Sequence, residues 1–161
     1  MELDNFMGVP AHPLFVHLPI VLIPILTLIV IVMVVKPDWR EKYALPTAVV
    51  AVLTAIATFL AAGAGEALEK RVEHSKLIED HAELGDQTKI LALLFALLLV
   101  GLVVAIRKNL TKFVMPLVLL SAVAGIVSSV WVARTGHAGA KSAWEDTPKA
   151  PIGGGGDADE N

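Results

Sequence analysis

The chain has 161 residues, a formal net charge of −3 and 55% hydrophobic residues, with a mean hydropathy of +0.68. It contains no cysteine, which excludes a covalently attached c-type haem and an iron–sulfur cluster held by its own thiolates. We expect a lipid bilayer as its environment and no nucleic-acid partner.

Four apolar segments follow one another along the chain and predict four helices, at about 14–35, 43–68, 84–106 and 113–133. Each is close to the roughly 20 apolar residues that cross a bilayer at about 1.5 Å rise per residue. None alternates with the period of two that a membrane strand requires. The sequence therefore predicts an all-α integral membrane four-helix bundle over residues 1–146, without an evident internal repeat. A flexible, Gly-rich acidic tail is expected over 147–161.

Basic residues predict the orientation of the bundle. Six of the thirteen basic residues lie in or beside the two short connections, between the first and second and between the third and fourth helices: Lys36, Arg40, Lys42, Arg107, Lys108 and Lys112. The remaining connection mixes bases with acids, and the leader has acids without Lys or Arg. Because basic loops stay in the cytoplasm, both termini are expected outside, in a multi-pass protein of a bacterial inner (plasma) membrane. The acidic leader also argues against a cleaved signal peptide.

The five histidines all fall near the outer ends of these segments, at His12, His17, His74, His81 and His137. In a cysteine-free chain they are the only strong ligands for a soft metal ion or a haem iron. Ionisable residues at membrane depth are costly and usually mark a site. His74 lies in a run of mixed charge, which is typical of a solvated surface.

Local sequence ranks the other four histidines. His17 lies between apolar neighbours, where an unpartnered imidazole is disfavoured. His81 directly precedes the third predicted helix. We therefore predict His17 and His81 as the first ligand pair, and His12 with His137, just past the fourth helix, as the second.

Haem b is the cofactor that these residues favour. A four-helix bundle can enclose a macrocycle between its helices, with axial imidazoles from facing helices, and a b-type haem needs no cysteine. Arg134 and Lys141 are expected to pair with the haem propionates. The predicted function is electron transfer, as a carrier or a subunit of a redox complex rather than as a stand-alone enzyme.

Two other classes of function remain open. Zinc or copper is the alternative to haem, with His12, His17, His81 and His137 as the ligands of the ion. A cofactor-free structural subunit of a membrane complex is the other, and a homo-oligomer is possible in each case. The same imidazoles could relay protons. No serine nucleophile or phosphate-binding loop stands in a recognisable setting.

Two motifs resemble those of an uncharacterised bacterial family of four-helix membrane proteins with a domain of unknown function. The opening HPLFVHLPIVL is similar to its first motif, His-Pro-x-x-x-His-x-Pro. The stretch RTGHAGAKSAWE is similar to its second, Thr-Gly-His-x-Gly after the last helix, although Ala140 stands where a further glycine is expected. The resemblance covers residues from about 8 to 146. Some relatives are fused to, or occur beside, Rieske or other redox proteins, so the resemblance implies a redox context.

Overall fold

Four long helices make up the fold. The computed structural model of the chain describes residues 5–6 and 9–144, with side chains from His12 to Trp144, so the predicted tail lies outside the described residues. The helices are α1 (Ala11–Val35), α2 (Pro37–Glu69), α3 (Lys76–Arg107) and α4 (Thr111–Trp144). A short antiparallel pair of strands, β1 (Asn5–Phe6) and β2 (Val9–Pro10), precedes α1. The predicted all-α four-helix bundle is confirmed.

The helices extend beyond the apolar segments that predicted them. The α3 helix begins at Lys76 rather than near 84, behind Ser75, whose hydroxyl accepts a 3.3 Å hydrogen bond from the amide of Ile78. The α4 helix continues to Trp144 rather than ending near 133. Hydropathy detects the lipid-crossing part of a helix, whereas backbone hydrogen bonds continue through the polar turns at its ends. The prediction that His137 follows the last helix was therefore wrong, since it lies within α4.

The connections at one end of the bundle are tight. Only Lys36 separates α1 from α2. The guanidinium of Arg40, in the first turn of α2, donates hydrogen bonds of 2.6 and 2.7 Å to the carbonyls of Met33 and Val34. These bonds satisfy carbonyls of the last turn of α1 that have no helical partner. Neighbouring helices are therefore antiparallel, and α1 and α3 start at the same end, which we call the histidine end.

The helices form a closed ring of four contacts. Each of α1 and α3 packs against both α2 and α4, so α1 and α3 face each other diagonally, as do α2 and α4. All four helices are long and apolar enough to cross a membrane. Large apolar side chains cover the outer surface, among them Leu28, Leu53, Leu97 and Val123. The molecule is a multi-pass membrane protein whose outer surface contacts lipid.

Large and small side chains alternate around the core. The helices α1 and α3 contribute its bulky residues, Ile23, Leu26, Val30, Met33, Phe95, Leu99 and Leu102. The helices α2 and α4 contribute mostly Ala, Thr, Ser and Gly. Small residues allow membrane helices to approach closely, and packing rather than hydrophobic exclusion drives their association in lipid. The bulky diagonal pair therefore fills the space that the small diagonal pair leaves.

The buried positions reveal that the bundle is built from two equivalent hairpins. A shift of 69 positions (81 minus 12) places buried residues of α1 on buried residues of α3: Pro19 on Thr88, Ile23 on Ala92, Leu26 on Phe95, Thr27 on Ala96, Val30 on Leu99 and Met33 on Leu102. A shift of 74 (135 minus 61) does the same from α2 to α4: Ala44 on Val118, Thr47 on Ser121, Ala48 on Ala122, Ala51 on Gly125, Thr54 on Ser128 and Thr58 on Val132. The structure thus contains an internal repeat.

This repeat relates α1–α2 to α3–α4 in the same orientation. Both hairpins start at the histidine end, so the approximate two-fold axis runs along the bundle, as in membrane proteins with parallel repeats. The sequence conceals it for two reasons. Among the twelve pairs only Ala48 and Ala122 are identical, and the shift changes between the two halves of the hairpin.

Candidate functional site

Two histidines meet where this approximate axis leaves the bundle. His12, in the first turn of α1, and His81, in the second turn of α3, have ring centroids 5.9 Å apart and ring planes at 86°. They are equivalent residues of the two hairpins. The contact joins diagonal helices, which otherwise barely touch. It is therefore a feature of the bundle end and not of an ordinary helix–helix interface.

Each imidazole is anchored to the other helix of its own hairpin. His12 Nδ1 lies 2.8 Å from the carbonyl oxygen of Ala61, and His81 Nδ1 lies 3.0 Å from that of Thr135. A carbonyl oxygen can only accept, so Nδ1 donates in both rings. In a neutral imidazole this leaves the lone pair on Nε2. Histidines that ligate metals are commonly oriented in this way, with the other ring nitrogen donating to a backbone carbonyl.

A glycine lies against each imidazole, one helical turn beyond the anchoring carbonyl. A Cβ on Gly65 would lie 3.0 Å from His12 Nδ1, and a Cβ on Gly139 would lie 2.8 Å from His81 Cε1. Both contacts are tighter than ordinary van der Waals contact. The two glycines are again equivalent in the repeat. Only a residue without a side chain leaves each ring in its observed position.

A hydrogen-bond network fixes the backbone that holds His81. The hydroxyl of Thr135 lies 2.9 Å from that of Thr88 and 2.9 Å from the carbonyl of Trp131. The indole of Trp131 donates a 2.7 Å hydrogen bond to the side-chain carbonyl of Gln87. These bonds tie α4 to α3 directly beside the imidazole. They leave His81 little freedom to turn.

The structure does not bring the other predicted ligands to this pair. His17 is exposed on the outer face of α1, and its Nδ1 donates to the carbonyl of Pro13 in the same helix. It lines an open apolar groove of about 550 Å³ with residues of α1 alone. His137 is exposed on α4, and His74 is exposed in the α2–α3 connection. The structure pairs His81 with His12, whereas the sequence favoured His17.

The two predicted propionate partners both lie on α4. Arg134 and Lys141 are exposed and seven residues apart, and therefore close to one helical face. The guanidinium of Arg134 lies 5.1 Å from the centroid of the Trp131 ring, in a cation–π contact. Both side chains belong to the histidine end of the bundle.

A multidentate ion site is not assembled in the described part of the chain. Among residues 12–144, no group of three or more His, Asp or Glu side chains is placed to hold a metal ion. His12, His17, His81 and His137 therefore do not converge as a set of four. His12 and His81 are the two histidines that the structure brings together.

The sequence ranked the histidines by the polarity of their neighbours. That polarity does not show which imidazoles point towards the other helices of the bundle. The informative signal was a small residue followed four positions later by a glycine. It occurs at Ala61 and Gly65 and again at Thr135 and Gly139. Each glycine lies four residues after the carbonyl that anchors a histidine. That signal acquires meaning only once the repeat is recognised.

Comparison with known proteins places the chain in a family. No curated protein and no solved structure matches it. The model of one family, described as "Predicted membrane protein (DUF2231)", matches residues 8–149, a range that contains the four helices and both paired histidines. The chain belongs to this family of membrane proteins of unknown function.

Proposed function

We propose that the protein binds haem b through His12 and His81 and carries electrons at the histidine end of the bundle. The observation that supports this proposal is the pair of anchored imidazoles from diagonal helices. A haem iron receives four nitrogens from its porphyrin and needs only two axial ligands from the protein. A structural zinc ion needs about four protein ligands. Two imidazoles therefore suit haem better than zinc.

His12 and His81 would together hold the iron, since their rings come from diagonal helices and their centroids lie 5.9 Å apart. The tautomer also fits, because the Nδ1 atoms donate to carbonyls and the Nε2 atoms keep their lone pairs.

Residues at the histidine end support the proposal for both the macrocycle and the propionates of a haem. Ala61, Ala64 and Gly65 of α2 give an apolar lining with little bulk beside His12. Arg134 and Lys141 provide cations for the propionates. The haem would supply one-electron redox chemistry, and His12 and His81 would hold its iron.

Optical spectroscopy of the purified protein tests the proposal. After expression with ample haem supply, we expect a Soret band, a shift on reduction with dithionite, and haem b on pyridine extraction. His12→Ala and His81→Ala should each abolish the band or convert it to that of a five-coordinate haem. His74→Ala and His137→Ala, at exposed positions, are the matched controls and should leave the spectrum unchanged.

His17→Ala discriminates between the two ligand assignments. With the His12–His81 pair as ligands, this variant keeps the spectrum of the wild type, whereas the pairing favoured by the sequence requires its loss. A protein without a Soret band overturns the haem proposal. Elemental analysis of the same preparation then identifies zinc or copper. Copper(II) generally binds a given nitrogen site more tightly than zinc, and an ion-free protein supports a structural subunit.

We also propose that the histidine end faces the outside of a bacterial inner membrane. The support is the balance of charges: at the opposite end, around Lys36, Arg40 and Lys108, basic residues outnumber acids, whereas at the histidine end the basic residues are mixed with many acids. A fluorescent reporter that folds only in the cytoplasm should stay dark when fused after Asn161. The same reporter inserted after Asn109 should fluoresce. The reverse pattern would place the histidines in the cytoplasm.

A further inference from the structure

An apolar groove lies between α2 and α3, in the half of the bundle opposite the histidine end. It has a volume of about 270 Å³, and its walls are formed only by apolar side chains of the two helices: Leu45, Ala48, Val49, Val52, Leu53, Val100, Val103 and Val104. Several of them are well exposed, with Leu45 44%, Leu53 59% and Val104 48%. The groove therefore opens on the lipid-facing surface of the bundle.

Basic side chains lie one turn beyond the end of this α2–α3 groove. Neighbouring helices are antiparallel, so the start of α2 and the end of α3 meet there. Arg107 and Lys108 each follow a groove residue of α3 by four positions and continue the same face of that helix. Lys42 precedes Leu45 by three positions on α2. All three basic side chains are exposed, so their charges are available to a ligand.

The cations on α3 have no acidic partner in the part of the chain that the structure describes. Neither Arg107 nor Lys108 forms an ion pair there, and no acid occurs in the sequence from Arg107 to Lys112. The acids at this end, Asp38 and Glu41, belong to the first turns of α2. The α3 side of the groove end therefore carries positive charge alone.

We propose that the α2–α3 groove binds an anionic phospholipid of the bilayer, with an acyl chain in the groove and the phosphate against Arg107, Lys108 and Lys42. Basic pockets between transmembrane helices hold anionic head groups in this way. The guanidinium of Arg107 can bind two phosphate oxygens at once, and the two ammonium groups add point charges. This site is independent of the histidine pair and of haem.

Size and charge decide among the occupants of the groove. From Leu45 to Leu53 it extends about 12 Å along α2, and a helix about 10 Å in diameter would fill roughly 900 Å³ over that length. A helix of another protein therefore cannot enter a groove of about 270 Å³, whereas a single acyl chain is narrow. A second copy related by a two-fold axis would bring two sets of cations together, and like charges repel. A lipid with a negative head group satisfies both the groove and the cations.

The internal repeat supplies a matched comparison, the interface between α4 and α1. There Ile31 stands at the position of Val100, so the wall carries a bulkier side chain. Pro116 stands at the position of Lys42 and provides no charge. We therefore expect selective lipid binding at the α2–α3 groove and not at the equivalent interface.

Native mass spectrometry of the whole chain, released from nanodiscs, tests the head group. The nanodiscs contain equal amounts of phosphatidylglycerol and phosphatidylcholine with identical acyl chains, and we expect the retained lipid to be enriched in phosphatidylglycerol at least fivefold. Each base near an anionic head group contributes roughly fivefold in affinity, so Arg107→Gln with Lys108→Gln should abolish the enrichment. Lys36→Gln with Lys112→Gln removes equal charge at the same end, beside α1 and α4, and should preserve it.

A bulky substitution tests the position of the acyl chain. Val49→Trp places a ring in the groove and should lower the retention of phosphatidylglycerol at least fivefold, whereas Val123→Trp, at the equivalent exposed position of α4, should not. Circular dichroism checks that both variants fold. Glycerol phosphate, which has the phosphate without the chains, should not displace the lipid at equal concentration.

Four results would overturn the proposal. They are equal retention of the two lipids, equal loss in the two pairs of charge variants, unchanged retention in folded Val49→Trp, and displacement of the lipid by glycerol phosphate. The last result would mean that the cations bind a free phosphate and that the groove contributes nothing. Each readout is a mass of bound lipid, so it is distinct from the optical test of haem binding.

Discussion

At the level of single residues, the histidines differ in what their Nδ1 atoms contact. His12 and His81 donate to carbonyls of another helix, at Ala61 and Thr135, whereas His17 donates to Pro13 within its own turn. A hydrogen bond to a neighbouring helix fixes both the position and the direction of a ring. The local bond of His17 leaves that ring on the outer surface. Anchoring, rather than depth in the membrane, therefore separates candidate ligands from ordinary interfacial histidines.

The glycine beside each ring should be intolerant of a side chain. We expect Gly139→Ala to push His81 out of its position, because the new Cβ would lie 2.8 Å from Cε1. Overpacking of this kind costs about 1–3 kcal/mol, and haem affinity should fall by roughly five- to 150-fold. Gly136→Ala, with no atom within 4 Å of its Cβ, is the control. Haem titration and thermal unfolding measure both variants.

The hydroxyl of Ser121 should be dispensable for folding. Its side chain is fully buried, and its Oγ has no hydrogen-bond partner. Burial of an unpaired hydroxyl costs about 1–3 kcal/mol, so Ser121→Ala should raise stability in detergent-denaturant titrations. Ser128→Ala removes a hydroxyl that donates a 2.7 Å bond to the carbonyl of Ala124, and should give no gain. Equal effects of the two substitutions would show that the unpaired hydroxyl is not the cause.

At the level of helices, close packing between α4 and its neighbours depends on Gly125. A Cβ there would lie 2.6 Å from the hydroxyl of Thr27 on α1 and 3.1 Å from the Phe95 ring on α3. We expect Gly125→Ala to destabilise the bundle by about 1–3 kcal/mol, since both neighbours are buried and must move. Urea or detergent titration, followed by circular dichroism, gives the value.

Gly101→Ala is the matched control for this prediction. Its Cβ would lie 3.6 Å from Leu117, which is ordinary van der Waals contact. Alanine forms helices more readily than glycine, by roughly 0.5–1 kcal/mol. Stability should therefore stay constant or rise. If Gly125→Ala were as stable as Gly101→Ala, the close approach of α1 and α3 to α4 at Gly125 would not be needed for stability, and the prediction would be wrong.

The number and class of the helices could be predicted because membrane burial imposes a long apolar segment on each. The ends of the helices could not be predicted from hydropathy, because the terminal turns of α3 and α4 are polar although their backbone is helical. His137 illustrates the consequence, because its helical position follows from backbone continuity and not from hydropathy. The same polar turns contain Gln87, Trp131 and Thr135, which fix the backbone that holds His81.

At the level of the whole molecule, the repeat explains why the candidate site lies on the axis. Each hairpin contributes one imidazole, one anchoring carbonyl and one glycine, and the approximate two-fold axis brings the two sets face to face. The four candidate histidines were identifiable from the sequence, but their pairing was not. Pairing depends on which side of each helix faces the axis. Differences such as Ile23 against Ala92, or Thr58 against Val132, hide the equivalence of the two hairpins in the sequence.

The two hairpins should assemble as separate chains. A break between Glu73 and His74 falls in the exposed connection between α2 and α3 and leaves both hairpins whole. We expect co-expressed fragments 1–73 and 74–161 to co-purify through a tag on one of them, because the α1–α4 and α2–α3 interfaces remain available. Each fragment alone carries only one imidazole of the pair. Cofactor content should therefore appear only when both are present.

A break between Lys36 and Pro37 provides the contrasting case. There Arg40 of α2 donates two hydrogen bonds to the last carbonyls of α1, and a new charged terminus would compete for them. Fragments 1–36 and 37–161 should recover less assembled protein than the first pair, when compared by size-exclusion chromatography. Equal recovery from both breaks would mean that α1 packs independently of its hairpin. The two-hairpin description would then hold for the geometry of the bundle but not for its assembly.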